Sequence, residues 1–218
     1  MKDVFVYYDP VSPYVWLATH QFGRLQDAGA RLRLRPVLFA GLLNANGQKG
    51  PAEIPSKRDY TFRDVLRQAT RQGLRFRGPP GHPFNPLLVL RMACALIDED
   101  ARLRFAVAAS RACWEDGANL SDPATAAAIA EGCGLDGAAL LAAAASAPVK
   151  QALADATAAA LAAGVFGVPA LACDGEIFWG ADRIDALLWH LDGGRIDQDT
   201  LQDFLARPPL AQRKLAGG

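Results

Sequence analysis

The sequence has no surplus of either charge and no long hydrophobic run. Its 218 residues include 23 basic and 23 acidic side chains, so the formal net charge is +0 at pH 7. This balance argues against the basic surface of a nucleic-acid-binding protein and against a polybasic face that binds membranes. No uninterrupted apolar stretch reaches the roughly 20 residues that a membrane-spanning helix needs. We therefore expect a globular protein whose partners are small molecules, with neither nucleic acid nor membrane among them.

Cysteine and histidine are also scarce, with four and three residues. The cysteines are Cys94, Cys113, Cys133 and Cys173. They form no C-x-x-C motif, which argues against a redox dithiol and a zinc knuckle and predicts small buried side chains in a reducing compartment. The histidines, at 20, 82 and 190, have no metal-ligand spacing, so we expect packing or surface roles and no metal site. The apolar run within residues 1–8 is too short for a signal peptide, and polar residues follow it too soon. We therefore expect a cytoplasmic protein.

The hydrophobic patterns predict the order β-α-β, then a helical block, a β-hairpin and a final helix. Strands over 4–8 and 31–37 flank a helix from Pro13 to about Asp27, with Ser12 as its N-cap. Residues 39–55, rich in Gly, Asn and Pro, predict a long loop. Alanine-rich and amphipathic patterns then predict helices over 56–72, 87–97, 101–114, 123–131, 137–145 and 149–163.

A break at 164–169 separates this helical block from the last elements. Strands over 170–173 and 176–178 flank Asp174-Gly175, a strong hairpin turn, and a helix follows over 182–191. We expect Trp114 and Trp189 in the core and a peripheral tail from Gly193. This order is typical of an α/β, thioredoxin-like fold with a large all-helical domain inserted between its halves. Residues 1–39 and 164–192 would form the thioredoxin-like domain, 40–163 the inserted domain and 193–218 the tail.

Three separated motifs resemble one family within that fold. Residues 9–14 read DPVSPY and resemble the first-helix motif of the disulfide-oxidoreductase branch, with Ser12 at the nucleophilic cysteine and Val15 at the resolving one. Residues 164–169 read GVFGVP and resemble the loop with the superfamily's cis-proline. Residues 178–183 read FWGADR and are similar to a signature of kappa-class glutathione transferases and their bacterial relatives, the 2-hydroxychromene-2-carboxylate isomerases. The pattern KxxYxxxDxxR at 57–67 and PFN at 83–85 also resemble that family's helical domain.

The resemblance implies that glutathione is the cofactor. Ser12 would donate a hydrogen bond to its sulfur at a helix N-terminus, which favours a thiolate. Val168, before cis-Pro169, would pair with the cysteinyl part. The γ-glutamyl end would lie against the start of the last helix, where Asp182 suits its ammonium. The resemblance implies that this part of the glutathione site is lined by Trp179, Gly180, Ala181, Asp182 and Arg183. The alternatives are that Ser12 and Asp182 only cap helices and that Pro169 is an ordinary trans residue.

The second substrate is less clearly specified. Lys57 and Arg67 are cations that could hold a carboxylate, and Phe84 and Asn85 could form a wall of the pocket. Solvated helix charges, packing and turn capping are the alternatives for these four residues. The segment 42–54, which carries substrate contacts in the isomerases, here offers Lys49 as its only cation.

The resemblance implies an isomerase that interconverts 2-hydroxychromene-2-carboxylate and trans-o-hydroxybenzylidenepyruvate, a step in aromatic hydrocarbon catabolism. Its chemistry is reversible addition of the glutathione thiolate to the substrate alkene. One alternative is a kappa-type transferase that conjugates electrophiles through the same glutathione residues. Another is a noncatalytic thioredoxin-fold binding protein. The resemblance also implies a homodimer.

Overall fold

The chain has the predicted α/β order, built around one mixed sheet. A computed structural model describes residues 1–211. The strands are β1 (Lys2–Tyr8), β2 (Ala30–Pro36), β3 (Ala170–Cys173) and β4 (Glu176–Trp179). The strand order is β2-β1-β3-β4, with β1 and β2 parallel and β3 antiparallel to both of its neighbours. The carboxyl ends of β1 and β2 therefore lie at the same edge as the start of β3.

In the sequence, helices follow β1, β2 and β4. Their bounds are α1 (Pro13–Thr19), α2 (Phe22–Asp27), α3 (Phe39–Ala45), α4 (Pro55–Arg71), α5 (Leu87–Ala95), α6 (Glu99–Asp116), α7 (Pro123–Gly132), α8 (Gly137–Ala145), α9 (Ala147–Ala162), α10 (Ile184–Leu191) and α11 (Gln198–Leu205). Short 3-10 turns cover Pro51–Glu53 and Ala181–Arg183. Helices α3 to α9 follow β2 and precede β3, which is where the sequence predicts an inserted helical block.

The core lies between the sheet and the helices that cover it. Val4, Val6 and Tyr8 alternate along β1 and are buried, because successive side chains of a strand point to opposite faces. The Tyr8 hydroxyl donates a hydrogen bond to the carbonyl of Ala106 at 3.0 Å, which ties β1 to α6. Trp114, at the end of α6, is fully buried as predicted. The sheet and the inserted helices thus share one hydrophobic core.

The alanine-rich segments form the predicted helices α7, α8 and α9. Each has a side-chain N-cap, supplied by Asp122, Asp136 and Ser146. A capping side chain satisfies a backbone N–H that the first helical turn leaves unpaired. Within residues 1–211 no single helix is long and apolar enough to cross a membrane, and α8 and α9 reach that length only as a pair bent by 76°.

The predicted single helix over 13–27 is wrong, because the chain breaks into α1 and α2 at His20 and Gln21. Both side chains at the break make long-range bonds. The His20 imidazole lies 2.8 Å from the Glu115 carboxylate, and the Gln21 amide donates to the carbonyl of Ala181 at 3.2 Å. These tertiary contacts fix the two residues, and the local hydrophobic pattern does not reveal them.

The predicted long loop over 39–55 is also wrong, because it contains α3 and a 3-10 turn. Leu42 is fully buried and Leu43 nearly so, which gives α3 a packed face. The backbone N–H of Phe39, at the start of α3, donates to the Asp9 carboxylate at 2.9 Å. The group that caps α3 thus lies 30 residues away in the sequence, where a search for local capping signals does not find it.

One expectation about the C-terminal part needs correction. Trp189 is not a core residue: it is 50% exposed and covers the backbone of Gly194. The segment that follows Gly193 contains α11, which begins after an Asp197 cap that accepts from the backbone N–H of Thr200. Helix α11 has no buried residue, and residues 212–218 of the predicted tail lie outside the described part of the chain.

Candidate active site

A cavity of about 780 Å³ lies where the start of α1, the β3–β4 hairpin and helices α3 and α4 meet. All the predicted site residues except Asn85 and Arg67 line it. They are Ser12, Lys57, Phe84, Val168, Pro169, Trp179, Gly180, Ala181, Asp182 and Arg183. Three segments that are far apart in the sequence therefore converge on one concave site.

Asn85 and Arg67 lie outside the cavity lining. The Asn85 side-chain oxygen accepts a hydrogen bond from the backbone N–H of Leu87 at 3.0 Å, so it caps the turn that leads into α5. Arg67 is an exposed residue of α4. Lys57 does line the cavity, together with the neighbouring Arg58, which the sequence reasoning missed.

Ser12 is in the N-cap position of α1, but its hydroxyl does not cap the helix. The residue is only 7% exposed, and its Oγ donates to the carbonyl of Val168 at 3.4 Å. Hydroxyl hydrogen bonds are ordinarily 2.5–3.0 Å long, so this contact is weak. Helix α1 has only seven residues, so its dipole is small and the hydroxyl is the main group at this position that can stabilise an anion. Ser12 therefore offers a buried donor whose contact within the fold is this weak one.

The Val168–Pro169 peptide is cis, as the sequence predicted. Within residues 1–211 the backbone N–H of Val168 makes no hydrogen bond to another backbone group. The carbonyl of Pro169 accepts from the backbone N–H of Gly180 at 2.9 Å, which joins this loop to the turn after β4. Val168 thus presents a free N–H and a weakly bonded carbonyl beside Ser12, an arrangement that can pair with an extended peptide.

The turn after β4 depends on glycine. Gly180 has φ 114°, a conformation that side chains disfavour, and a Cβ at this position would overlap the carboxylate of Asp182. Asp182 and Arg183 form an ion pair at 2.6 Å in which both side chains are more than half exposed. Such an exposed pair contributes little to the stability of the fold, so a ligand ammonium can compete for the Asp182 carboxylate.

Trp179 packs edge-on against Phe166, with ring centroids 4.9 Å apart.

Asp9 is a cavity residue that the sequence reasoning treated only as the start of a turn. Its carboxyl group is completely buried at the end of β1 and accepts from the backbone N–H groups of Val11 and Phe39, each at 2.9 Å. Burial raises the Asp9 pKa to about 7 although these two hydrogen bonds lower it. Asp9 therefore fixes the segment that carries Ser12 to the start of α3. In the sequence, the feature that could have indicated this role is the position of an acidic residue directly after a buried strand.

Tyr14 and Asp64 connect α1 to the inserted helix α4. The Tyr14 hydroxyl donates to the Asp64 carboxylate at 3.0 Å, and the Gln68 amide donates to the same oxygen at 2.7 Å. Burial, and then the nearby Asp64 charge, raise the pKa of Tyr14, so its phenol stays protonated. Asp64 was singled out only as part of the helical-domain pattern, and here its carboxylate lines the cavity together with that of Asp182.

His82 was expected to be a surface or packing residue, and it packs while also lining the cavity. Its Nε2 lies 2.9 Å from the carbonyl of Val11, and its ring packs edge-on against Phe62 at 5.2 Å. Burial is the main cause that lowers the His82 pKa, so the neutral ring donates its Nε2–H to Val11. His82 thereby supports the backbone next to Ser12 and gives this side of the cavity an aromatic wall with Phe84.

Comparison of the sequence with known proteins finds relatives of two kinds. The 2-hydroxychromene-2-carboxylate isomerase of Pseudomonas putida is 27% identical over 184 residues, 82% of this chain and 88% of that protein. The isomerase of Sphingobium xenophagum is 28% identical over 196 residues, 87% of this chain and 98% of that protein. Glutathione S-transferase kappa 1 of Rattus norvegicus is 36% identical over 61 residues, a match that spans only 28% of this chain and 27% of the transferase.

Solved structures confirm the fold. A structure of 2-hydroxychromene-2-carboxylate isomerase superposes with a TM-score of 0.81 at 24% identity, over 94% of this chain and 100% of that one. The cytosolic disulfide reductase DsbM from Pseudomonas aeruginosa with GSH gives 0.57 at 16% identity, over 93% and 98%. The model of the DSBA-like thioredoxin domain matches residues 3–192. With these matches and the cis-proline cavity, the chain belongs to the family of DSBA-like thioredoxin domains.

Proposed function

We propose that the chain is a glutathione-dependent isomerase that interconverts 2-hydroxychromene-2-carboxylate and trans-o-hydroxybenzylidenepyruvate. The observation that carries this proposal is the buried Ser12 hydroxyl, which caps no helix and lies beside the cis-Pro169 loop in a large cavity. The relatives that align over more than four fifths of the chain are named as isomerases of this type, which supports the choice of reaction.

The residues present fit glutathione. The free N–H and the carbonyl of Val168 suit the backbone of its cysteinyl residue, which would bring the sulfur to Ser12. The carboxylates of Asp182 and Asp64 suit the γ-glutamyl ammonium. Ala181 has no polar side chain, so at that end the backbone N–H groups of the 3-10 turn would hold the γ-glutamyl carboxylate. A volume of about 780 Å³ is in the range of small-molecule sites and leaves room for a second ligand.

Some residues of the chain would act on the glutathione thiol, and others would bind the substrate. Bound glutathione would supply a thiolate that adds reversibly to the substrate alkene and so permits rotation about that bond. Ser12 would donate to the sulfur, and a hydrogen bond to a charged acceptor contributes about 1.5–3 kcal/mol. Lys57 would hold the substrate carboxylate, and Arg58 would stabilise negative charge that develops on its carbonyl oxygen. Phe84 would pack against the aromatic ring.

A kappa-type glutathione transferase is the second candidate, favoured by the 36% identity to the rat transferase over 61 residues. It would use the same glutathione residues and would release a conjugate instead of an isomer. The two are separated by following the ultraviolet spectrum of 2-hydroxychromene-2-carboxylate and the free thiol concentration in one reaction. Interconversion at constant thiol supports the isomerase, whereas loss of one thiol for each electrophile supports the transferase. Neither change, with glutathione bound, would indicate a noncatalytic binding protein.

We further propose the division into a thioredoxin-like glutathione-binding domain, residues 1–39 and 164–192, and an inserted helical domain, residues 40–163. The resemblance also leads us to propose a cytoplasmic homodimer that acts in aromatic catabolism. Light scattering at micromolar concentration tests the oligomeric state. A mass near twice 23.2 kDa is expected, and a mass near 23.2 kDa would refute the dimer.

A further inference from the structure

A second cluster of reactive side chains lies at the tip of the β3–β4 hairpin. None of its residues lines the cavity. Cys173 ends β3, Asp174 is in the hairpin turn and His190 is near the end of α10. One ligand atom of each residue lies within 4.8 Å of the other two. A thiol, a carboxylate and an imidazole therefore meet at a place where the proposed isomerase chemistry has no use for them.

The burial of these groups is unusual for a polar cluster. Cys173 is 1% exposed and His190 is 2% exposed, whereas Asp174 reaches solvent. The His190 Nε2 lies 3.2 Å from the Asp174 carboxylate. Its Nδ1 is buried and makes no hydrogen bond within residues 1–211, and the nearest carboxylate oxygen is that of Glu176 at 3.7 Å. Buried polar atoms are ordinarily paired, so this Nδ1 calls for a physical reason.

We propose that Cys173, Asp174 and His190 form a binding site for Zn²⁺, with Glu176 as the carboxylate behind the histidine. Zinc is bound in proteins by thiolate, imidazole and carboxylate groups, and water commonly supplies a fourth ligand. A ligating histidine ordinarily donates its other ring N–H to a carboxylate, and Glu176, 3.7 Å from Nδ1, is the carboxylate that could accept it after a small shift. In a tetrahedral zinc site the ligand atoms lie about 3.3–3.8 Å apart, as follows from the metal–ligand distances, so only a small closure is required.

Binding would require one exchange of cations and one proton transfer. The Lys2 ammonium lies 2.7 Å from the Asp174 carboxylate, and because Lys2 is 37% exposed it can move into solvent when the metal arrives. A thiol that binds no metal carries its proton at neutral pH. Zinc would replace that proton, which leaves to solvent as the Zn–S bond forms. Lys2 and the nearby Arg195 are thus the charges that oppose the metal.

Cobalt titration of the reduced full-length protein, without glutathione because glutathione itself binds metals, tests this proposal. We expect one equivalent of Co²⁺ to bind with thiolate-to-cobalt absorption, and Zn²⁺ to displace it. Cys173→Ser should abolish that absorption, and His190→Gln should weaken binding at least about tenfold. Cys133→Ser, which changes a partly accessible thiol outside the cluster, is the control and should have no effect.

Lys2→Met gives the test a readout that does not depend on the ligands. Removing the competing ammonium should tighten metal binding by about threefold to tenfold. A purely structural ion pair between Lys2 and Asp174 predicts no such gain. Saturating Zn²⁺ should also raise the Tm of the wild-type protein by roughly 5 °C, and it should not raise that of Cys173→Ser.

Three results would overturn the zinc site. They are the absence of thiolate–cobalt absorption, an absorption that survives in Cys173→Ser, and an unchanged metal affinity in Lys2→Met. The last remains decisive if the cysteine variant fails to fold, because Lys2 is exposed and its loss leaves all the proposed ligands in place. None of these measurements involves turnover, so the zinc site and the proposed isomerase stand or fall separately.

Discussion

Replacing Ser12 by alanine isolates the role of its hydroxyl with little disturbance of the fold. The hydroxyl makes no capping bond, and its contact with the carbonyl of Val168 is 3.4 Å long. We therefore expect Ser12→Ala to change the free energy of unfolding by less than about 1 kcal/mol. Any large loss of activity must then come from the bound thiol.

The size of the effect follows from the charged hydrogen bond. A free thiol has a pKa of about 8.5, and we expect binding at Ser12 to lower it to about 6.5. Loss of a hydrogen bond of about 2 kcal/mol to the thiolate would raise that pKa again by about 1.5. At pH 7 the thiolate fraction would fall from about three quarters to about one tenth, and near pH 9 the two proteins would differ little. The loss should therefore be about eightfold at pH 7 and should disappear at high pH.

The assay is the ultraviolet absorbance of the glutathione thiolate in the complex, measured against pH, together with the pH dependence of kcat. Ser110→Ala is the matched control, because Ser110 is also buried but its hydroxyl donates to Tyr8 outside the cavity lining. An unshifted thiol pKa in Ser12→Ala, or an equal shift in Ser110→Ala, would refute the role that we give to Ser12.

Three further predictions concern Asp182, Lys57 and Asp9. Asp182→Asn should weaken glutathione binding about tenfold in calorimetry with a smaller change in kcat, and equal affinity would show that no ammonium contact exists. Lys57→Met should raise KM for the carboxylate substrate about tenfold, whereas Arg67→Met, on the same helix but outside the cavity lining, should not; equal effects would remove Lys57 from the site. For Asp9 the folded pKa of about 7 lies above the 3.8 of an ordinary aspartate, so the native state holds the proton more tightly and this group's contribution to stability falls as pH rises from 4 to 7. Urea unfolding should show the advantage of wild type over Asp9→Asn shrinking by about 3–4 kcal/mol between pH 4 and pH 8, and a constant difference would mean that Asp9 ionises normally.

Local patterns were sufficient for most elements of the fold. The alternation of side chains in β1, the Asp174-Gly175 turn and the alanine-rich helices are all short-range features, and each appears in the structure near its predicted position. The motifs around Ser12, Pro169 and Asp182 also converge on one cavity, as the order of elements implied.

Long-range contacts account for what the sequence did not reveal. The cap of α3 comes from Asp9, and the break between α1 and α2 is fixed by bonds to Glu115 and Ala181, all far away in the sequence. The cluster around His190 was not predicted from the sequence for the same reason, since Cys173 and His190 are brought together only when α10 packs against the hairpin. Spacing within the sequence cannot report such contacts.

The isomerisation of 2-hydroxychromene-2-carboxylate should be timed with glutathione, without it and with S-methylglutathione. S-methylglutathione offers the same peptide groups to Val168 and Asp182 but has no free thiol for Ser12. We predict rapid interconversion with glutathione and only the background rate without it or with the methylated form, which should also inhibit competitively when it is added to glutathione. Equal rates in all three conditions would show that no thiol takes part and that the cavity around Ser12 serves a different reaction.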